Sequence, residues 1–232
     1  MKKHYLKNVL IISFLFFQAI ISYPQAIRIK LINKIPIDEN ALLLSGSFVV
    51  LKDGTFLFAD IKDENSQFKL INENGKLKKG WGKMGPGPDE FGGIAWLDYN
   101  DKYLAAFDAG KQCVHLFEIN KNEFRKKGDI MAWEVDSFIK LYDRSVLMGG
   151  YVVSPNEKKY IIFKRDFSGK NTEYILPLEY KYGGNSLSEY KKIREEVQGV
   201  SYKGYADIYE DLLFYVSDVR LKVIKTDLKT KK

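Results

Sequence analysis

Gly80-Trp81-Gly82-Lys83-Met84-Gly85-Pro86-Gly87-Pro88-Asp89-Glu90-Phe91-Gly92-Gly93 is the stretch on which the reading of this chain turns. Six glycines and two prolines in fourteen residues exclude a regular helix or a central strand and demand a defined loop path. The segments on its two sides resemble each other, so the loop reads as a junction between two copies of one structural unit.

Upstream, Phe48-Val49-Val50-Leu51 and Thr55-Phe56-Leu57-Phe58-Ala59-Asp60 flank Asp53-Gly54, a strong hairpin signal because Asp-Gly supplies the positive φ of a tight turn. A second hairpin joins Phe68-Lys69-Leu70-Ile71 to Lys76-Leu77 across Asn72-Glu73-Asn74-Gly75. Downstream, Ile94 to Leu97, Tyr103 to Asp108 and Val114 to Phe117 repeat the first three of these strands at an offset of about 46 residues. A third copy runs through Phe138 to Leu141, Val146 to Tyr151, a turn at Ser154-Pro155-Asn156 and Tyr160 to Phe163, again about 46 residues beyond Phe117. Tyr205 to Ile208, Leu212 to Asp218 and Leu221 to Ile224 recover three strands of a fourth.

Before that fourth copy, Ser186-Leu187-Ser188-Glu189 has capping-box spacing, and Leu187, Tyr190, Ile193 and Val197 share one face, which predicts a short helix over 186–198. The rest of the chain reads as strands. Four-stranded units repeating every 40 to 50 residues are the mark of a β-propeller, in which stacked sheets bury faces that none could bury alone. The expected fold is all-β, with antiparallel blades over about 46–90, 94–135, 137–180 and 200–232. A β-sandwich is the rival; the near-constant offset favours the propeller.

Lys2, Lys3 and Lys7 precede an almost wholly apolar run from Val9 to Ile21, and Ser22-Tyr23-Pro24-Gln25-Ala26 follows. This is the pattern of a secretory signal peptide covering 1–26, too short in its apolar part to span a bilayer, so no membrane span is expected after cleavage near Ala26. Residues 27–232 then form the propeller domain, and the destination is periplasmic or extracellular. The formal charge of +7 falls to +4 without the three leader lysines, and the tail from Arg220 onward carries that excess. The body is near neutral, which excludes the electrostatic stripe that nucleic-acid binding needs. Cys113 has no second cysteine to pair with and reads as a strand residue.

Gly85-Pro86-Gly87-Pro88-Asp89-Glu90-Phe91, followed by Phe107-Asp108 and Val114-His115-Leu116-Phe117, resembles bacterial six-bladed β-propellers related to NHL repeats. Those carry a Gly-x-Gly-Pro-x-Glu-Phe loop between blades, then an apolar strand ending in Asp. Many are exported proteins without an assigned activity. Glu118 stands here in place of the usual Asp after Phe117, and Tyr151 stands at the Asp position of the third copy. The resemblance implies a six-bladed ring. Four copies then make an incomplete propeller, with an expected natural product about 90 residues longer or closure by oligomerisation through open blade edges. The strand Ile27 to Leu31 is the expected closing strand.

Two readings of the loop stand beside each other. Structurally, its glycines allow positive φ and close sheet approach, with Gly87→Ala the substitution that tests a positive φ, while Glu90 ties loop amides and Phe91 plugs the blade interface. Functionally, Gly85, Gly87, Asp89 and Glu90 form a ligand loop on the propeller face. Asp60, Asp108 and Asp218 recur at strand ends, where a carboxylate caps the following turn; held together around the axis they would offer oxygen ligands to calcium. No cofactor is otherwise expected. His115 is the only histidine outside the leader, so zinc chemistry lacks a second imidazole and a catalytic triad would depend on this one side chain. No catalytic residue is assigned. The favoured function is a non-catalytic envelope propeller that recognises a peptide, glycan or protein partner. The alternatives are a calcium-dependent, lactonase-like hydrolase or lyase, and a chain whose role is assembly with other subunits.

Overall fold

The computed structural model describes residues 35–41, 46–121, 123–156, 159–177, 204–217 and 223–230. The leader, the Ile27 to Leu31 strand, the helix expected over 186–198 and Asp218 lie outside the described residues.

The described residues form four antiparallel sheets that follow one another as propeller blades. Blade 1 holds β1 (Gly46–Val50), β2 (Phe56–Asp60), β3 (Phe68–Ile71) and β4 (Leu77–Trp81). Blade 2 holds β5 (Ile94–Asn100), β6 (Tyr103–Asp108), β7 (Cys113–Asn120) and β8 (Glu123–Met131). Blade 3 holds β9 (Val135–Tyr142), β10 (Ser145–Val153), β11 (Lys159–Asp166) and β12 (Thr172–Pro177), and blade 4 holds β13 (Gly204–Tyr209), β14 (Leu212–Ser217) and β15 (Val223–Asp227). Within every blade the strands pair in chain order, as a meander must when each connection is a hairpin. The two turn signals of blade 1 place Gly54 at φ +81° and Gly75 at φ +83°, which is why Asp-Gly and Asn-Gly stand there.

Three apolar cores occupy the three gaps between successive blades. Leu57, Ala59, Phe68 and Leu70 of blade 1 meet Leu97, Leu104, Ala106 and Phe117 of blade 2. Ala105, Phe107, Val114 and Leu116 of blade 2 meet Ile139, Val146, Met148 and Phe163 of blade 3, and Phe138, Leu147 and Ile162 meet Leu213 and Tyr215 of blade 4. The strict alternation in β6 thus serves two cores at once, one per face. Full burial of a side chain such as Phe68 stabilises by roughly 1.5–3 kcal/mol.

The first strand of each blade lies beside the first strand of the next, and polar side chains stitch these inner strands together. The Leu97 amide donates to Ser47 Oγ at 2.8 Å, and the Leu141 amide donates to Asp98 Oδ2 at 2.6 Å. Lys140 continues the line, 3.2 Å from Asp98 and 3.4 Å from Asp207. Burial pushes the Asp98 carboxyl up, against the pull of Lys140.

Candidate functional site

The Gly-Pro loop connects the outer strand β4 to the inner strand β5, and it is bonded on itself. The Gly87 amide donates to Glu90 Oε2 at 2.9 Å, the Gly85 amide to the Phe91 carbonyl at 2.9 Å and the Phe91 amide to the Lys83 carbonyl at 2.9 Å. The bond from Gly87, with Lys83 nearby, holds the Glu90 carboxyl below its usual range. Phe91 is buried in the core between blades 1 and 2, edge-on to Phe68 at 5.2 Å and to His115 at 5.0 Å. Glu90 and Phe91 therefore play the parts the sequence assigns them.

The glycines divide between the two parts, and Gly87 takes neither a positive φ nor a close backbone approach. Positive φ falls at Gly82 (+91°) and Gly93 (+141°), the two ends of the loop, and not at Gly87. Inside the loop a Cβ would meet the Glu90 carboxylate, at 2.1 Å from Oε2 for one on Gly85 and 3.0 Å for one on Gly87, so that side chain would have to shift. Where the loop meets blade 2 the backbones of Gly92 and Gly110 come close: a Cβ on Gly110 would lie 2.4 Å from the Gly92 carbonyl oxygen.

Asp108, at the end of β6, joins this loop to blade 2. Its Oδ2 accepts the Gly92 amide at 2.7 Å and its Oδ1 accepts the Lys111 amide at 2.9 Å, the turn-capping role read from the sequence. Its remaining partner is His115, whose Nε2 lies 3.1 Å from Asp108 Oδ2 while Nδ1 lies 2.6 Å from Asp129 Oδ1. Both ring nitrogens thus face carboxylate oxygens, which only accept, so both must donate: His115 is an imidazolium. Burial opposes this charge, but the contacts with Asp108, Cys113 and Asp129 outweigh it and raise the pKa to about 9. Burial likewise pushes the Asp108 and Asp129 carboxyls up, and the hydrogen bonds from His115 reverse that and hold both below the usual range.

Above this buried pair opens a cleft of about 690 Å³, lined by Gly85, Pro86, Gly87, Pro88, Gly92 and Gly110 on the loop side and by Lys111, His115, Lys126 and Asp129 from blade 2. Lys111 Nζ donates to the Gly87 and Glu90 carbonyls at 2.6 Å each, and Lys126 Nζ lies 3.0 Å from Asp129 Oδ2. The cleft thus presents two ammonium groups and one partly exposed carboxylate against two prolines, over the buried imidazolium. Gly85 and Gly87 are brought to it, while half-buried Glu90 and exposed Asp89 lie outside its lining.

Asp60 occupies the same register position in blade 1, but its partner is Lys69, 3.1 Å away, which also binds Asp63 at 2.8 Å. In blade 4 the answering register position, opposite Gly204, is Ser217. Asp60 and Asp108 are each committed to a cation of their own blade, and among the described residues no group of three His, Cys, Asp or Glu is placed to hold a metal ion. Lys111, Lys126, Asp129 and Lys69 were not singled out by the sequence. The one available signal was that Lys69 and His115 both follow the strand-end Asp at equivalent positions of the repeat.

No protein-family profile and no curated protein matches this chain. Among solved structures, a Bacteroides fragilis protein assigned as exported is similar at a TM-score of 0.50 and 16% identity, over 84% of this chain and 75% of its own. A member of the DUF4221 family from Bacteroides vulgatus is similar at 0.52 and 12% identity, over 84% of this chain and 60% of its own. This chain therefore spans less than two thirds of the second. At these identities the likeness is one of fold.

Proposed function

We propose that this chain is an exported, non-catalytic binding propeller of the cell envelope, whose ligand docks in the cleft between the Gly-Pro loop and blade 2. The observation that carries this reading is the state of His115. An imidazolium with both nitrogens donating to buried or half-buried carboxylates cannot serve as a general base, and the thiol beside it, Cys113 at 3.8 Å, is buried and outside the cleft lining. What the cleft offers is recognition: proline surface, ammonium donors from Lys111 and Lys126, and a volume in the usual range of about 300–1,000 Å³ for ligand pockets. Such a lining suits a peptide or glycan segment rich in hydrogen-bond acceptors. Export is supported by the Met1 to Ala26 pattern and by the exported neighbour in fold. Kinship with NHL-related propellers, carried by the Gly85 to Phe91 loop, belongs to the same reading.

A thermal-shift screen of peptides and glycans, run in calcium and in EDTA, tests it. A stabilising ligand whose effect is lost in Lys111→Ala and Lys126→Ala is expected. Turnover of a lactone or ester that calcium sustains and EDTA abolishes would replace this reading with the hydrolase.

A further inference from the structure

The repeat register allows each blade to be compared with the next at identical positions. The position of Phe48, opposite Phe58, is held by Leu97 opposite Ala106 in blade 2 and by Ile139 opposite Met148 in blade 3. Leu97 is 8% exposed and Ile139 3%, each covered by the preceding blade, yet Phe48 is 55% exposed. Val50 beside it is 49% exposed, and Phe56 and Phe58 are only half-buried, whereas their counterparts Leu104 and Ala106, or Val146 and Met148, are fully buried. Phe48, Phe56 and Phe58 gather into one aromatic cluster, with Phe48 stacked on Phe58 at 5.3 Å. The face that blades 2 and 3 use to receive a neighbour is thus present, apolar and open on blade 1.

The complementary face is open on blade 4. Tyr209, opposite Leu212, stands where blade 3 has Tyr142 opposite Ser145. Tyr142 is 8% exposed and donates its hydroxyl to Asp211 of blade 4 at 2.8 Å, while Tyr209 is 68% exposed. Phe214, which answers to the fully buried Leu147 and Ala105, is half-buried. One copy therefore carries both halves of a blade-to-blade contact, at its two ends.

We propose that blade 4 of one copy packs on blade 1 of a second, and blade 4 of the second on blade 1 of the first, closing a ring of eight blades from two copies. Such head-to-tail contacts close when the rotation allows, and eight blades lies at the upper end of the usual range of about four to eight.

Light scattering on the full chain across a concentration series reads the assembly. The expected result is a dimer, twice the 26.8 kDa of one chain. Phe48→Glu and Phe214→Lys each break both contacts of the ring and weaken association by ~30-fold or more. Mixed together they restore a dimer, since one contact is then intact and the other places Glu against Lys. Tyr209→Lys, at a site already exposed, replaces Phe214→Lys if circular dichroism shows the latter unfolded. A monomer at every concentration, association indifferent to these substitutions (as a leader-driven contact would be) or polymers growing without limit would each overturn the closed ring.

Discussion

Blades 1 and 2 carry the same device in two versions. Each ends its second strand in a buried Asp that caps the next turn, and each faces that Asp with a cation from the third strand, Lys69 in one and His115 in the other. In blade 1 the second carboxylate, Asp63, comes from the turn itself and shuts the site: its bond with Lys69 holds it below its usual range. In blade 2 the second carboxylate, Asp129, comes from the outer strand β8, is 42% exposed and sits on the cleft wall. The same register position is therefore a closed bracket in one blade and the floor of a cleft in the other. The difference lies in where the second acid is placed and in the glycine pair, Gly92 and Gly110, that brings the loop down onto blade 2. Blade 1 has Lys62 where blade 2 has Gly110, two residues after the strand-end Asp.

Breaking the closed version should cost most. Lys69→Met leaves Asp60 buried without its ammonium and should destabilise by ~3–5 kcal/mol in urea unfolding; a loss below ~1 kcal/mol would mean that water or another group already compensates Asp60. The double variant Asp60→Asn, Lys69→Met should recover part of that loss, because the fully buried carboxylate is then neutral and only the partly exposed Asp63 has lost its ammonium.

The open version is pH-dependent. The pKa of His115 rises from the ordinary 6.5 to about 9 in the folded chain. Its contribution is complete below about pH 6.5 and fades as pH climbs through 9, by ~3 kcal/mol in all. Unfolding free energies measured from pH 6 to 10 should show this decline in the native chain and lose it in His115→Gln. A flat profile in the native chain would show that the imidazole is not charged.

Gly110→Ala tests the glycine pair. Its Cβ must displace the Gly92 carbonyl, at ~1–3 kcal/mol, whereas Gly87→Ala meets only the end of the Glu90 side chain and should cost under ~1 kcal/mol. Equal melting temperatures for the two would remove the close approach from the account. Smallest of all, Lys126→Ala loses a half-exposed pair with Asp129 and should change stability by less than ~1 kcal/mol, while lowering affinity for any cleft ligand.

What the sequence made legible was local. Alternation, Asp-Gly and Asn-Gly turns and the offset of about 46 residues announced the blades, because hairpin pairing and face alternation are set by near neighbours. The ties of Glu90 and the burial of Phe91 followed for the same reason. The cleft was not legible, since Lys126 and Asp129 reach His115 only through the pairing of β7 with β8. Nor were the roles of the glycines, because a need for positive φ and a need for space look alike in sequence. Gly82 and Gly93 have the first, Gly87 does not, and Gly110 needs the second.

The cleft floor is a fixed imidazolium, a recognition element with no free base. Nitrogen-resolved NMR of the histidine ring, with His115→Gln to identify the signal, tests it most directly. At pH 7.5 both Nδ1 and Nε2 should carry protons, with the ring titrating near pH 9. A neutral ring with one bare nitrogen at pH 7.5 would contradict the account and return His115 to the candidates for catalysis.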